Sequence, residues 1–516
     1  MSTTTSTIRG CIKGITVEPM GFLTFFALVM YQLVRDTGLY RIVCLQEYET
    51  TKVDCANLSG RPEIENNVQQ MTTLWIMAYS LAVLLPAMFT DVLLGAWGDR
   101  RGRKTNMLLG IVGTMIAALP LMFLITYPHV PIYMVLFPNL VCGLMGSSAI
   151  VMVSSYAFLA DHIRDHNLLT VRMAILSVAF SSSLISGSYV SGLLLKHLSL
   201  NKTLAVVIGS LTLAFFYCLF RIEEKPPPAD RKLIEQTIEE EQNEPRESDS
   251  LLRCHEKTAC GHCCREVILT VRAAKALLKE AWHTFTQKRP RHHRAYMIIG
   301  VACFLVVTLA DFQGNVITLF VYRHPLNWTP PMLATWKAIN GMVNLVGGLI
   351  GALILKRILK VNDTTLILLG MICAIAQNIT IGLSTQTWMV YLSSALGLFS
   401  TIVQPTIFSL TSRLVRKDEV GKAFAGFTLA AEIALILSVA MLNAIYQATV
   451  SFYPGIVFFF VATCVLLMFI PMFWVHLNYD EEAEDRRKRL RDETGRDEEE
   501  ADNENDALAT ESNGSD

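Results

Sequence analysis

Residues 95–104 read Gly-Ala-Trp-Gly-Asp-Arg-Arg-Gly-Arg-Lys and follow directly on an apolar run. Charge of this density is unstable in hydrocarbon, so the apolar run must end here, at a membrane surface. A stop-transfer signal, which only sets the orientation of the chain in the membrane, needs basic residues alone. It needs neither Asp99 nor the glycines. We therefore predict a structured loop between two packed helices, where Gly98 and Gly102 let another backbone approach. Asp99 and Arg103 can pair if the helix continues.

The composition is that of an integral membrane protein. Of 516 residues, 52% are hydrophobic and 17% are charged, whereas about a quarter is usual in soluble domains. The mean hydropathy is +0.39. The chain begins with a polar Ser/Thr stretch that lacks the short apolar core and cut site of a cleavable signal. No basic face or nucleic-acid motif occurs, so we expect a lipid bilayer and no nucleic acid around this chain.

Twelve apolar runs reach the length of about 20 residues that a membrane-spanning helix needs. They are 15–36, 71–97, 105–127, 131–160, 170–195, 200–221, 294–321, 332–356, 364–384, 387–412, 423–449 and 454–476. Six runs, a polar insert and six more predict an all-α membrane protein with twelve transmembrane helices in two six-helix halves. The predicted domains are the halves 1–221 and 294–477, the linker 222–293 and a disordered acidic tail, 478–516.

Basic residues in the short loops predict the orientation. They follow the second, eighth and tenth runs, at Arg100, Arg101, Arg103, Lys104, Lys356, Arg357, Lys360, Arg413, Arg416 and Lys417. The loops 127–131, 385–387 and 450–453 have no Lys or Arg. Under the positive-inside rule both termini, the linker and residues 95–104 are cytoplasmic.

Residues 37–70 are predicted to form the one sizeable outer loop. An oxidising lumen would allow a disulfide between Cys44 and Cys55, and the sequon at Asn57 could be glycosylated. In the linker, we expect disorder first and then an amphipathic helix at 266–287 on the inner membrane surface.

The cysteines and histidines of residues 254–264 leave two interpretations open. Zinc sites usually present two well-separated ligand pairs, and this cluster has one CxxC with irregular neighbours. Reduced or palmitoylated cysteines therefore fit it better, and we expect no metal. Nearby, Leu251 and Leu252 follow acidic residues in the pattern that adaptor proteins read on endosomal and lysosomal cargo. A plasma or an endosomal/lysosomal membrane is expected.

Ionisable and amide residues inside the runs are candidates for a substrate or proton site, because a buried charge in hydrocarbon is costly. They are Asp311, Asn315, Lys337, Asn340 and Glu432. The alternative is a set of interhelical bonds that only hold the bundle together, and Lys337 could instead snorkel to the outer end. We favour function for Asp311, because its neighbours form a polar face. Glu18 is expected to face water.

Catalytic motifs are absent from the sequence. It contains no nucleophile elbow, phosphate loop, paired catalytic carboxylates or HExxH pattern. We therefore expect neither an enzyme nor a cofactor. The sequence leaves two functional hypotheses open. The protein is either a transporter or a transport-inactive receptor or scaffold that signals through its cytoplasmic segments.

The twelve runs, the central insert and residues 95–104 together resemble the major facilitator superfamily. Its signature between the second and third helices is filled here by Gly95, Asp99, Arg100, Gly102, Arg103 and Lys104. The resemblance implies that these residues form a cytoplasmic latch between the halves. It also implies that a solute binds near the midplane, and that rocking of the halves gives alternating access.

Short stretches are similar to the solute carrier 46 family, which includes proton-coupled folate carriers. They are Val17-Glu18-Pro19, Leu94-Gly95-Ala96-Trp97, Val171-Arg172-Met173-Ala174, Pro325-Leu326-Asn327-Trp328 and Ile445-Tyr446-Gln447-Ala448-Thr449-Val450. This resemblance implies a polar or anionic organic solute, folate-like or muropeptide-like, moved with protons.

The chain departs from the folate carriers at positions that matter for transport. Where they have a proton-coupling Glu, a His and an Arg, this chain has Ser177, Ala310 and Phe408. Ser177 and Phe408 therefore join the candidate site. Any proton coupling would fall to Asp311 or Glu432.

Overall fold

The computed structural model describes residues 16–47, 62–163, 166–223, 279, 285–286, 292–311, 313–415 and 420–479. Several predictions fall on other residues and lie outside this description. They concern Asn57, Cys55, Leu251, Leu252, the cluster at 254–264, nearly all of the helix at 266–287, and the acidic tail.

The described chain forms twelve membrane helices. The first half contains α1 (Glu18–Glu47), α2 (Pro62–Arg101), α3 (Lys104–Thr126), α4 (Leu136–Leu144 and Ser148–His162), α5 (His166–His197) and α6 (Leu200–Arg221). The second contains α7 (His293–Asp311 and Gly314–Tyr322), α8 (Pro330–Ile350, then a π-helix Gly351–Ile358), α9 (Asp363–Gly382), α10 (Thr387–Leu396 and Val403–Leu414), α11 (Val420–Thr449) and α12 (Ile456–Asn478).

The predicted twelve-helix architecture in two halves is confirmed. Eleven helices of the described chain, all except α1, are long and apolar enough to cross a membrane. With 30 residues, α1 is also long enough. It carries the charged residues Glu18, Arg35 and Asp36, each of them buried. Between the halves, α5 packs against α8 and α2 packs against α11.

The glycines of α5 and α8 explain how closely the halves approach. A Cβ atom on Gly192 of α5 would clash with the Cβ of Ala334 on α8. One on Gly341 of α8 would lie 3.1 Å from Ile185 Cγ1 on α5. Larger side chains at these positions would force the two helices apart.

The prediction of a long outer loop at 37–70 is wrong. Helix α1 continues to Glu47, and α2 begins at Pro62. The predicted end of the first run was set by Arg35 and Asp36, but these charges pair with each other, so the helix continues beyond them.

Cys44 therefore lies in α1, where it is buried and disulfide-bonded. No other cysteine among the described residues is disulfide-bonded, so the partner of Cys44 lies outside the described part of the chain. The pairing of Cys44 with Cys55 stays a prediction.

The prediction of a structured loop across residues 95–104 is also wrong. Helix α2 runs through Arg101, and α3 begins at Lys104. The turn is confined to Gly102, whose φ of 114° is a left-handed conformation that favours glycine. The expected close approach does occur at Gly98, where a Cβ would lie 2.5 Å from Asn106 Nδ2 of α3.

Candidate transport site

Two ends of the bundle are distinguished here. The motif end holds residues 95–104, and the far end holds residues 323–329.

Helix α7 is broken between Asp311 and Gly314, and α10 is broken between Leu396 and Val403. Non-helical backbone at membrane depth is tolerated where it is enclosed by protein or lines a water-filled space. These breaks therefore indicate where a polar site can be built.

Asp311 is the last residue before the break in α7. Its Oδ2 atom accepts a hydrogen bond of 2.9 Å from Gln404 Nε2 on α10. Gln404 also donates to Thr308 Oγ1 at 3.4 Å. Asp311 is exposed, although the four residues before it are buried. Its carboxyl group is therefore held against α10 while it stays accessible.

Arg35 lies opposite the second segment of α7. Its Nε donates to Asp36 Oδ1 at 2.9 Å, and its Nη2 lies 2.8 Å from the same oxygen. Nη2 also donates to Asn315 Oδ1, 3.1 Å away in the other half. The guanidinium carbon stands 5.1 Å from the centroid of the Tyr79 ring, a cation–π distance.

The sequence argument missed Arg35 and Asp36 because they stood at the end of the predicted first run. The signal was present, however. Apolar residues resume at Gly38 and, apart from Arg41, continue to Cys44, a pattern that a genuine helix end would not show.

Lys337 belongs to the same region. Its ammonium group donates to Thr318 Oγ1 on α7 at 3.3 Å. This contact lies inside the bundle, in contrast to the snorkelling alternative. Asn340 and Asn344 follow on the same face of α8. Their Oδ1 atoms are buried and accept no hydrogen bond from any described residue.

The other candidates lie elsewhere. Ser177 of α5 is exposed, and its hydroxyl lies 2.8 Å from that of Tyr156 on α4. Glu432 of α11 is half-buried, within electrostatic reach of Asp91 on α2. Phe408 packs against Phe304 in an aromatic cluster, with ring centroids 5.3 Å apart.

Hydrogen bonds join the two halves at the far end. One of them is the bond from Arg35 to Asn315. In the others, the Thr37 and Tyr322 hydroxyls lie 3.0 Å apart, Gln69 donates to the Leu319 carbonyl (3.3 Å), Tyr446 donates to Gln69 (3.0 Å), Gln70 donates to the Gln447 carbonyl (3.4 Å) and the His324 amide donates to Glu65 (3.3 Å). We call this set the far-end contacts. It closes the bundle at that end.

The ion pairs that the structure describes at the motif end each join residues of the same half. In the first half, Arg103 Nε lies 3.3 Å from Asp161 Oδ2 at the end of α4. Arg172 Nη2 lies 2.7 Å from Glu18 Oε1. Glu18 is 4% exposed, so the expectation that it faces water is wrong. Its charge is instead compensated inside the half.

The second half has its own charge cluster at the motif end. Asp363, at the start of α9, is 1% exposed and pairs with Lys356 of α8. Arg413 Nε and Ser409 Oγ of α10 lie 3.3 and 2.8 Å from Asp363 Oδ2. Sequence reasoning missed both Asp161 and Asp363, because each stands at a helix end where an acid usually faces water.

A family model described as Major Facilitator Superfamily matches residues 65–439. This chain belongs to the Major Facilitator Superfamily. Its resemblance to the solute carrier 46 family is confirmed by the curated relatives. It is 25% identical over 470 residues to the proton-coupled folate transporter of Bos taurus, covering 90% of each chain.

Two further relatives extend the comparison. The lysosomal proton-coupled steroid conjugate and bile acid symporter of Gallus gallus is 23% identical, over 90% of this chain and 94% of its own. The probable peptidoglycan muropeptide transporter of Drosophila melanogaster is 22% identical, over 76% and 71%. The superfamily and these relatives are membrane transporters, and so is this chain.

Solved structures show the same fold. The nucleoside transporter NupG matches with a TM-score of 0.59 and 11% identity, over 89% of this chain and 98% of its own. A POT family transporter with a bound thioalcohol-conjugated peptide matches with a TM-score of 0.53 and 15% identity, over 89% and 96%.

Proposed function

We propose that this protein is a secondary active transporter, which moves a polar or anionic organic solute together with protons by alternating access. The observation that carries the proposal is the difference between the two ends. Far-end contacts join the halves there, whereas the motif-end pairs described above stay within one half. Exposed Asp311 and Ser177 fit a central space that opens toward the motif end. The solute passes through without chemical conversion.

The basic loops support a cytoplasmic motif end. Both termini and the linker are then cytoplasmic as well, and Asn57 and the Cys44–Cys55 disulfide lie on the far side. We place the protein in the plasma membrane or the endosomal/lysosomal membrane. Adaptor proteins would bind at Leu251 and Leu252.

Residues 95–104 act as the latch of the cycle. When the motif end closes, Asp99 and its basic neighbours bind the second half, and when it opens they release it. The pair of Arg103 with Asp161 supports this role, because it fixes the turn at Gly102 to α4 of its own half.

Asp311 and Glu432 are the proposed proton carriers. Intramembrane acids of this kind mark proton relays in many transporters. Asp311 is suited to the task because it is exposed and touches α10 through Gln404, so its protonation can be sensed by two helices. The names of the relatives suggest folates, conjugated steroids, bile acids and muropeptides as first probes.

The test is uptake into vesicles that contain the purified protein. Folic acid, a steroid sulfate, taurocholate and muramyl dipeptide are offered with and without a pH gradient, acidic on the far-end side. We expect the gradient to accelerate accumulation of at least one probe. Asp311→Asn or Glu432→Gln should remove this acceleration, and Thr380→Val, which alters a bond inside α9, should retain it. Acceleration that survives in both acid variants would contradict the proton assignment.

A further inference from the structure

We propose that Arg35 and Lys337 form an anion-binding subsite in the central space, and that Asn340 and Asn344 accept hydrogen bonds from N–H or O–H groups of the same solute. The inference rests on the proposed transport function and narrows its substrate class. The solute is an organic anion, a carboxylate or sulfate, that carries hydrogen-bond donors beside its charge.

The count of charges is the first argument. Arg35 pairs with Asp36. Lys337 donates to the neutral hydroxyl of Thr318 and pairs with no carboxylate in the part of the chain that the structure describes. An ammonium group here is therefore a cation without a counter-ion at membrane depth. A buried charge without a partner is costly. A solute anion would supply the missing charge each time it binds.

The geometry of Arg35 is the second argument. Its bonds to Asp36 and Asn315 use Nε and Nη2. The described contacts leave the N–H groups of Nη1 for an incoming oxygen, and a hydrogen bond from a guanidinium group to a carboxylate or sulfate is charge-assisted and strong. Asp36 is 1% exposed and comes from the same helix. It holds the guanidinium group in position while the site is empty.

The two asparagines are the third argument. Asn340 and Asn344 lie three and seven residues after Lys337, so all three face the same side of α8. Buried polar atoms nearly always have a hydrogen-bond partner, yet the Oδ1 atoms of these two residues have none among the described residues. They form a row of acceptors that begins at the cation, which is the arrangement a solute with one charge and several donors would need.

Charged thiol reagents measure the electrostatic potential of this site without a known substrate. Cysteine is introduced as Asn340→Cys, or as Asn344→Cys if the first variant does not fold. The protein is then labelled with methanethiosulfonates that carry either a sulfonate or a trimethylammonium group. We expect the anionic reagent to react roughly tenfold faster, relative to its rate at an exposed control, Thr385→Cys. The same protein without the introduced cysteine gives the background.

Further variants identify the residue responsible. Adding Lys337→Gln should bring the ratio of the two rates close to that of the control, and Lys337→Arg should preserve it. Equal rates at residue 340 and at the control would overturn the proposal. So would a ratio that Lys337→Gln leaves unchanged, or a site that neither reagent reaches.

This labelling needs no transport, so the two proposals fail separately. If the anionic reagent reacts faster as expected but no probe is taken up, only the transport function is contradicted. Uptake with no anionic preference at residue 340 would contradict only the subsite. Where an anionic probe is carried, Lys337→Gln should raise its KM about tenfold with less effect on kcat, because Lys337 binds the ground state and the transition state alike.

Discussion

The motif end and the far end hold their polar groups in opposite ways. At the motif end, carboxylates pair with cations of the same half, as Asp363 does with Arg413. At the far end, mostly neutral groups bond across the halves, as Tyr446 does with Gln69. Pairs within one half stabilise the packing of that half. Neutral hydrogen bonds each contribute only about 0.5–1.5 kcal/mol, so they can break and re-form in every cycle.

The largest effect is expected at Asp363. Asp363→Asn leaves the charges of Lys356 and Arg413 without their buried partner. Breaking a buried pair in this way costs about 3–5 kcal/mol. The apparent melting temperature of the detergent-solubilised protein should fall by several degrees. Ser409→Ala removes one neutral donor to the same carboxylate and should have a much smaller effect. Equal melting temperatures for the two variants would show that the cluster does not stabilise the half.

The ion pair of Glu18 with Arg172 should come next. Both side chains are mostly buried, with 6% and 12% exposed. Glu18→Gln should therefore lower the free energy of unfolding by about 1.5–3 kcal/mol, the usual value for a hydrogen bond to a charged group. Exposed Glu223 provides the control, and Glu223→Gln should change stability by less than about 0.5 kcal/mol. The double variant Glu18→Leu/Arg172→Leu should recover part of the loss, because it removes both charges of the pair together.

Removing far-end contacts should change the equilibrium between states more than stability. Tyr446→Phe removes the bond to Gln69, and Thr37→Val removes the bond to Tyr322. Together they should weaken closure of the far end by about 1–2 kcal/mol, a factor of roughly 5–30. The measurement is the rate of disulfide formation between cysteines at positions 70 and 447, which are in contact across the halves. An unchanged rate would mean that these bonds do not hold the end closed.

The smallest effect concerns two glycines of the latch. Gly98→Ala places a methyl group against Asn106 Nδ2, which donates to the Leu94 carbonyl at 2.6 Å. Loss of that bond should cost about 0.5–1.5 kcal/mol and slow transport. Gly95 has open space around it, so Gly95→Ala should be neutral or slightly stabilising. Equal uptake and melting temperatures for the two variants would contradict the close approach at Gly98.

Hydrocarbon made the helices predictable, because it requires about 20 apolar residues for each span. The end of α1 was not predictable in this way, since Arg35 and Asp36 neutralise each other within the span. The same apolar runs made Asp311 and Lys337 recognisable, because these two residues are charged and lie within them.

The sequence did not show which charged residues form ion pairs with each other. Arg103 pairs with Asp161, 58 residues later, and Arg172 pairs with Glu18, 154 residues earlier. Only the packing of the helices brings such residues together. A single sequence shows which positions are polar but not which of them meet.

The central claim is that the two ends open in turn, and one measurement tests it directly. Spin labels are placed across the halves at Glu223 and Lys360 on the motif end, and at Tyr127 and Thr385 on the far end, all of which are exposed. Distances are measured by double electron–electron resonance between pH 5.5 and 7.5, with and without a transported probe. We expect the motif-end distance to shorten whenever the far-end distance lengthens. Two distances that stay fixed, or that lengthen together, would contradict it.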